Sequence, residues 1–285
     1  MKKTALISIM ICSIIFSMTA CLNISSNNIF GNIRGNGVIK EQERGKMEFS
    51  AIDARGSIDV IISDVTDAPV KVSGDENLIE YIETIVKNGV LNINFKDKKG
   101  FSSRIGLKVI VPNNGRINSI KASGSCDVTI AGVLETDEMN IACTGSSDFK
   151  GNIIAVKCKV DCRGSSDFNG SIIAEICEID CSGSSDFKGS IEAVKCSIRC
   201  AGSSDCNITG KADVCEMSMS GSCDFKGYDF FVNKLTCSAS GSSDIKVTCN
   251  DELSARATGS SDIFYRGTAQ VISKHTSGSS DIKNR

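Results

Sequence analysis

From Ile120 onward, apolar and polar residues alternate in short runs that are broken at nearly fixed intervals. Counted from each Gly of a recurring Gly-Ser-Ser/Cys-Asp quartet, apolar or small residues stand at +2, +4, +8, +10, +13, +15 and +17. One repeat shows them as Ser166, Phe168, Ile172, Ala174, Cys177, Ile179 and Cys181. Period-two alternation of this kind describes short strands with one face turned inward. The breaks fall at Gly170, Gly189 and Gly227 and at the quartet itself, so each repeat has about three short sides. No repeat holds the helix-period run that a helical or leucine-rich solenoid needs. Lys, Glu, Asp, Ser and Asn occupy the positions between the inward ones.

The quartet begins at Gly124, Gly145, Gly164, Gly183, Gly202, Gly221, Gly241, Gly259 and Gly278, with a looser copy, "GSID", at Gly56. Steps of about 19 residues, each a unit that cannot bury its apolar face alone, predict an all-β parallel β-helix with one repeat per coil. At about 4.8 Å per coil, nine coils make a prism about 40 Å long. Stacking turns repeat positions into columns. One column is expected to hold Cys158, Cys177, Cys196, Cys215, Leu235, Leu253 and Ile272, and a second Cys143, Cys162, Cys181, Cys200, Met219, Ala239 and Ala257. Between them run Ile141, Val160, Ile179, Ile198, Met217, Cys237 and Ala255. Opposite stand Phe149, Phe168, Phe187, Cys206, Phe225, Ile245 and Ile263.

Residues 47–120 differ. "FSAIDARGSIDVIISD", "APVKVSG", "VLNINFKD" and "LKVIVP" alternate as strands. "DENLIEYIETIVKNG" carries Leu78, Ile79, Ile82, Ile85 and Val86 at helical spacing with Gly89 at the stop, which predicts an amphipathic helix over about 75–88. Laid over the open end of the coils, it would cap the core at the N-terminal side. Residues 121–285 form the regular repeats.

Composition narrows the function classes. The 285 residues carry a net charge of −2, so no basic face points to nucleic acid. With 26 Gly, 15 Cys, no Trp and 3 Tyr, the chain suits repetitive packing better than an aromatic-lined cleft. Lys2 and Lys3, an apolar stretch from about Ala5 to Phe16, and "SMTAC" resemble a lipoprotein signal peptide over 1–21, with Cys21 as the lipidated residue and membrane anchor. Asn-, Ser-, Gly- and charge-rich residues 22–46 are expected to be a flexible tether.

Cysteine in these columns is exchanged with Leu, Met and Ala, as a small core hydrophobe is, and buried free thiols are the expectation. Cys177 and Cys181 are four strand residues apart, roughly 13 Å, beyond the ~7 Å that a disulfide spans. Column neighbours point in parallel, so bridging them needs strain. A metal needs converging ligands, and parallel thiol columns separated by an isoleucine column are expected not to converge.

Asp127, Asp148, Asp167, Asp186, Asp205, Asp224, Asp244, Asp262 and Asp281 should form a ladder along one edge. Lys150, Lys188, Lys226, Lys246 and Lys283, two residues on, are placed to interleave with it, and local amides can cap the carboxylates. Weak cation binding at Asp148, Asp167, Asp186, Asp205 and Asp224 is the alternative, although one Asp per coil supplies few oxygens for calcium. The uniform coils hold no catalytic constellation and call for no cofactor. His275, the single histidine, is expected at the surface of the last coils.

The motifs "F-x-x-I-x-x-x-G-x-I-D-V-x-I" from Phe49, "V-x-V-x-G-D-E-N-L" from Val70, "I-x-x-x-V-x-N-G-x-L-x-I" from Ile82, "VIVP" from Val109 and "I-x-A-S-G-S-x-D" from Ile120 resemble the head-GIN-domain family of auto-transporter adhesins, common among Bacteroidetes lipoproteins. The likeness spans nearly the whole chain from about Glu48. It departs at "VPNNGRI", where a leucine usually follows the proline, and in its many cysteines. It implies a right-handed single-stranded β-helix. The expected function is a non-catalytic, lipid-anchored envelope protein, placed at the outer membrane, that binds a glycan or protein along its outer faces. A structural envelope protein and a β-helix carbohydrate-active enzyme are the alternatives. The last repeat, "GSSDIKNR", lacks a cap-like segment, so self-association through that coil edge is expected.

Overall fold

The computed structural model describes residues 33–96 and 100–285. The leader and Cys21 lie outside the described residues. The chain forms a parallel β-solenoid of about nine turns. Successive coils pair in register along almost their whole length. Phe149–Gly164, Phe168–Gly183, Phe187–Gly202 and Cys206–Gly221 each lie residue for residue on the next. Backbone amides and carbonyls are thereby satisfied between coils, while period-two alternation sends every second side chain inward.

All four sequence columns exist, with one correction at the C-terminal end. A register shift between Leu253 and Ser254 sets Val271, not Ile272, beside Leu253. Ile272 is 56% exposed. Gln270–Gly278 is exposed throughout and pairs only with Asp244–Gly259. Phe149, Phe168 and Phe187 stack with ring centroids 5.2 and 4.6 Å apart. Cys206 interrupts this stack before Phe225, and Met217 and Met219 return volume where the coil beneath has Ile198 and Cys200.

The N-terminal end is built out of sequence order. Ala51–Gly56 pairs with Ser119–Gly124, and Asp59–Ser63 reaches Val128–Ile130, so the "GSID" copy is a true rung. On the other side of this layer, Val90–Ile93 and Lys108–Pro112 pair with it in parallel. Residues 64–118 thus leave the first layer, build the end below it and return above it.

The expected helix over about 75–88 is only Glu76–Ile79. Ile82–Lys87 is a strand, antiparallel to Val90–Phe95. The reason is the turn between them: Asn88 and Gly89 both take positive φ, +52° and +75°, which a two-residue hairpin with the right twist requires. The helical spacing of Leu78, Ile79, Ile82 and Val86 arises because a short turn is followed by a strand with its own buried positions. Leu78, Ile79 and Ile82 do seal the core, at 0–2% exposure.

The tether expected over 22–46 is also corrected for its described part. Ile33–Arg34 pairs with Phe101–Ser102, and Ile39–Glu43 pairs antiparallel with Lys71–Asp75. Ile39–Glu43 is exposed along its length and has no apolar alternation to reveal it. Backbone hydrogen bonds and one buried carboxylate hold it. Asp75 is fully buried and accepts hydrogen bonds from the Gly37 amide (2.6 Å), the Ser103 hydroxyl (2.5 Å) and the Arg104 amide (3.0 Å).

Burial pushes the Asp75 carboxyl up, but the Ser103 hydroxyl and the Gly37, Arg104 and Ile105 amides outweigh it and hold it below its ordinary value. A carboxylate with a depressed folded pKa stabilises fully above its unfolded pKa and loses that contribution as pH falls through the folded value. The urea midpoint of Asp75→Asn should therefore lie below that of the parent at pH 7, with the gap closing as pH drops below about 4. A gap constant from pH 7 to pH 3 would contradict this role.

Candidate functional site

Each residue of the quartet has a backbone task. The Gly takes positive φ and lies directly against the Gly of the coil beneath. The first Ser donates its amide to that Gly's carbonyl, as Ser184 does to Gly164 at 2.7 Å. The second Ser is buried, and its hydroxyl accepts the amide of the same position one coil earlier. Ser147 donates to Ser166 Oγ, Ser166 to Ser185 Oγ and Ser185 to Ser204 Oγ at 3.2–3.3 Å. The same hydroxyls donate to the carbonyl three residues back.

The aspartates complete the pattern. Oδ1 of Asp127, Asp148, Asp167, Asp186 and Asp205 accepts the amide of the next Asp at 2.9–3.1 Å, and Asp59 continues the ladder downward. Like charges are therefore held chiefly by amides. Among the lysines, Lys226 reaches Asp205 (3.3 Å) and Asp224 (3.7 Å), and Lys283 reaches Asp281 (2.6 Å). Burial, with repulsion from ladder neighbours added, holds Asp59 and Asp167 above the ordinary carboxylate value. Among the described residues, the ladder brings no three carboxylates within 4.8 Å of one another.

All thirteen described cysteines are free and buried. Burial pushes the Cys158 thiol up, and Cys237 to about 12. With residues 1–21 removed, the native protein should react only slowly with an aromatic disulfide reagent and release its full thiol count in denaturant. A fast phase in the folded protein would refute the sealed core.

The thiols do converge at one place, contrary to the expectation from parallel columns. Cys200 ends one coil and Cys206 opens the next, on either side of the Gly202–Asp205 corner, and their sulfurs are 3.0 Å apart. Cys181 lies beneath Cys200 in the column. The three sulfurs all fall within 4.8 Å of one another. In the other coils a phenylalanine, isoleucine or valine fills the position of Cys206, which is why column geometry alone missed the cluster. Thiol hydrogens from Cys181 and Cys206 favour the thiolate at Cys200 against burial, so its pKa is lowered.

Outside, one face changes character along the prism. In register, Asp161, Asp180, Arg199, Ser218, Ser238, Arg256 and His275 form one column, flanked by Lys159, Glu178, Ser197, Glu216, Thr236, Ser254 and Ser273. The N-terminal part is charged and the C-terminal part is a lattice of hydroxyls with Arg256 beside His275. A groove of about 410 Å³ runs between Ser197 and His275. His275 is exposed, as expected, but it belongs to this groove. Arg199 has Asp180 at 3.5 Å, while Arg256 makes no ion pair among the described residues. Single-residue inspection passed over these arginines because they mark a surface only once the coils are stacked. No described helix is long and apolar enough to cross a membrane.

The solenoid is thus a sealed, thiol-rich core with structural ladders, and its outward positions are not all polar as the repeat suggested: Ile154, Val156, Ile173, Val194 and Phe231 are exposed. The family model described as "Putative auto-transporter adhesin, head GIN domain" matches residues 48–171 and 167–269, and the chain belongs to that family. No curated protein matches it. Solved structures share the fold, three of them as follows. A Parabacteroides distasonis protein described as a "putative adhesin" is 22% identical with a TM-score of 0.69, covering 90% of this chain and 100% of that one. A second P. distasonis protein, described as a "putative lipid binding protein", is 23% identical with a TM-score of 0.65 over 90% and 100%. A "putative adhesin" from Parabacteroides merdae is 20% identical with a TM-score of 0.65 over 89% and 99%.

Proposed function

We propose that this protein is a non-catalytic, adhesin-like module of the cell envelope that binds an anionic glycan along the face from Ser197 to His275, and is tethered to the membrane through a lipid on Cys21. The observation that carries the binding surface is the groove of about 410 Å³ lined by Ser and Thr hydroxyls with Arg199, Arg256 and His275, in which Glu216 is the one carboxylate and Ile198, Met217, Cys237 and Ala255 form the floor. Hydroxyls at the rung spacing of about 4.8 Å offer donors and acceptors at a regular repeat, which suits a repetitive polyhydroxylated chain. Exposed guanidinium groups recognise carboxylate or sulfate. The family and the adhesin-described structures support an adhesion role. The resemblance of residues 1–21 to a lipoprotein signal supports the anchor.

The test is an array of neutral, uronic-acid and sulfated glycans probed with the chain lacking residues 1–21, with and without calcium. Saturable binding to acidic glycans is expected, falling at least tenfold in Arg199→Ala/Arg256→Ala and falling with salt. Binding that ignores both changes would remove the groove as the site. A clean negative on every glycan would favour a structural envelope role.

A further inference from the structure

We infer that Cys181, Cys200 and Cys206 form a buried three-thiol site for a soft monovalent d10 cation, with Cu(I) as its chemical type. The three residues come from three successive coils, so a single ion would tie the Gly164, Gly183 and Gly202 repeats together through the core. All three side chains are at most 2% exposed.

Geometry suits three-coordination. Three sulfurs about 2.3 Å from a central ion in one plane stand about 4 Å apart. Here the closest pair is 3.0 Å apart and all three lie within 4.8 Å, so side-chain rotations that separate Cys200 Sγ from Cys206 Sγ by about 1 Å more accommodate the ion. Zn(II) in closed sites takes four ligands. The nearby thiol of Cys223 is turned to the Ser220 carbonyl at 3.1 Å instead. A sealed all-sulfur site of three ligands selects a soft cation over the oxygen-preferring ones. The site also depends on a departure from the repeat. Phe168, Phe187 and Phe225 fill the corner position in the neighbouring coils, and only at Cys206 does a sulfur ligand replace the ring. Ligation displaces thiol protons to solvent, so binding strengthens as pH rises. Because the core is closed, the ion enters as the coils assemble or open locally.

The experiment refolds the chain lacking residues 1–21 under anaerobic, reducing conditions with Cu(I), or with Zn(II) in a parallel arm. It then measures metal content after challenge with a chelator, thermal midpoint and the metal–sulfur shell by X-ray absorption. Expected are one chelator-resistant Cu(I) per chain, about three sulfurs at about 2.3 Å and a raised midpoint. Cys200→Ala installs the residue found at Ala239 and Ala257 and should fold; Cys206→Phe restores the ring of the neighbouring coils against the volume of Met217 and Met219, so its thermal midpoint is measured alongside. Each should lose the chelator-resistant ion, while Cys158→Leu, outside the cluster, keeps it. Retention of the ion by Cys206→Phe would overturn the site, as would equal occupancy by Zn(II) with a fourth ligand. A Cys200–Cys206 disulfide found by intact mass in the protein as purified, with no Cu(I) bound after reduction and refolding, would overturn it too.

Discussion

Replacing Gly183 by alanine should destabilise the protein by about 3 kcal/mol or more, combining a strained left-handed backbone with a backbone collision. Gly183 has φ +89°, and a Cβ there would stand 2.6 Å from the Gly164 carbonyl oxygen, a main-chain atom that no rotamer change can move. That carbonyl also accepts the Ser184 amide, so any shift costs a ladder hydrogen bond. In a solenoid each coil is stabilised by its neighbours, so a break in the middle uncouples the two halves. The expected denaturation profile of Gly183→Ala is a lowered midpoint with a broadened or split transition. An exposed substitution in the same coil, Lys195→Ala, serves as the control and should shift it by less than about 0.5 kcal/mol. A single transition at the parental midpoint in Gly183→Ala would show that the corner relaxes freely.

Phe168→Ala is expected to cost about 3–5 kcal/mol. Phe168 is 1% exposed and lies between two parallel rings, Phe149 at 5.2 Å and Phe187 at 4.6 Å, so its removal opens a cavity and deletes two stacking contacts. Main-chain pairing on both sides of the coil limits collapse into the space. Phe168→Cys copies what the chain does at Cys206. It should cost nearly as much, because the Met217 and Met219 that return volume near Cys206 have Val160 and Cys162 at the matching positions before this ring's own corner and Ile179 and Cys181 after it. Urea titrations of the two variants check this; a loss under about 1 kcal/mol in either would mean that the ring column is loosely packed.

These two effects share a cause with the ladder chemistry. In G-S-[SC]-D, glycine permits the corner, the first serine amide and the aspartate carboxylate tie the corner to the coil below, and the second serine hydroxyl fills and satisfies its interior. A motif repeated nine times is thus accounted for without a ligand. The proposed recognition lies instead on a face where the repeat varies, which is where Arg199, Arg256 and His275 interrupt the serines and threonines.

The sequence alone determined the coil length, the inward columns, the thiol-rich interior and the aspartate ladder. Stacking at a constant register makes a position in the repeat equivalent to a position in space, so one repeat read carefully describes its neighbours. Its reach ended wherever that equivalence failed. The detour over residues 64–118 is not a coil, and there a helical spacing from Leu78 to Val86 concealed a strand ending in the Asn88–Gly89 turn. Ile39–Glu43 carried no pattern because backbone hydrogen bonds and the Asp75 carboxylate, rather than apolar burial, hold it in place. Only the tertiary structure brought Cys206 to Cys200 and Cys181, since these residues occupy different repeat positions and meet across a corner whose angle no periodicity expresses. The groove was decided in the same way: its arginines are scattered in sequence and become one surface when the coils are laid on one another.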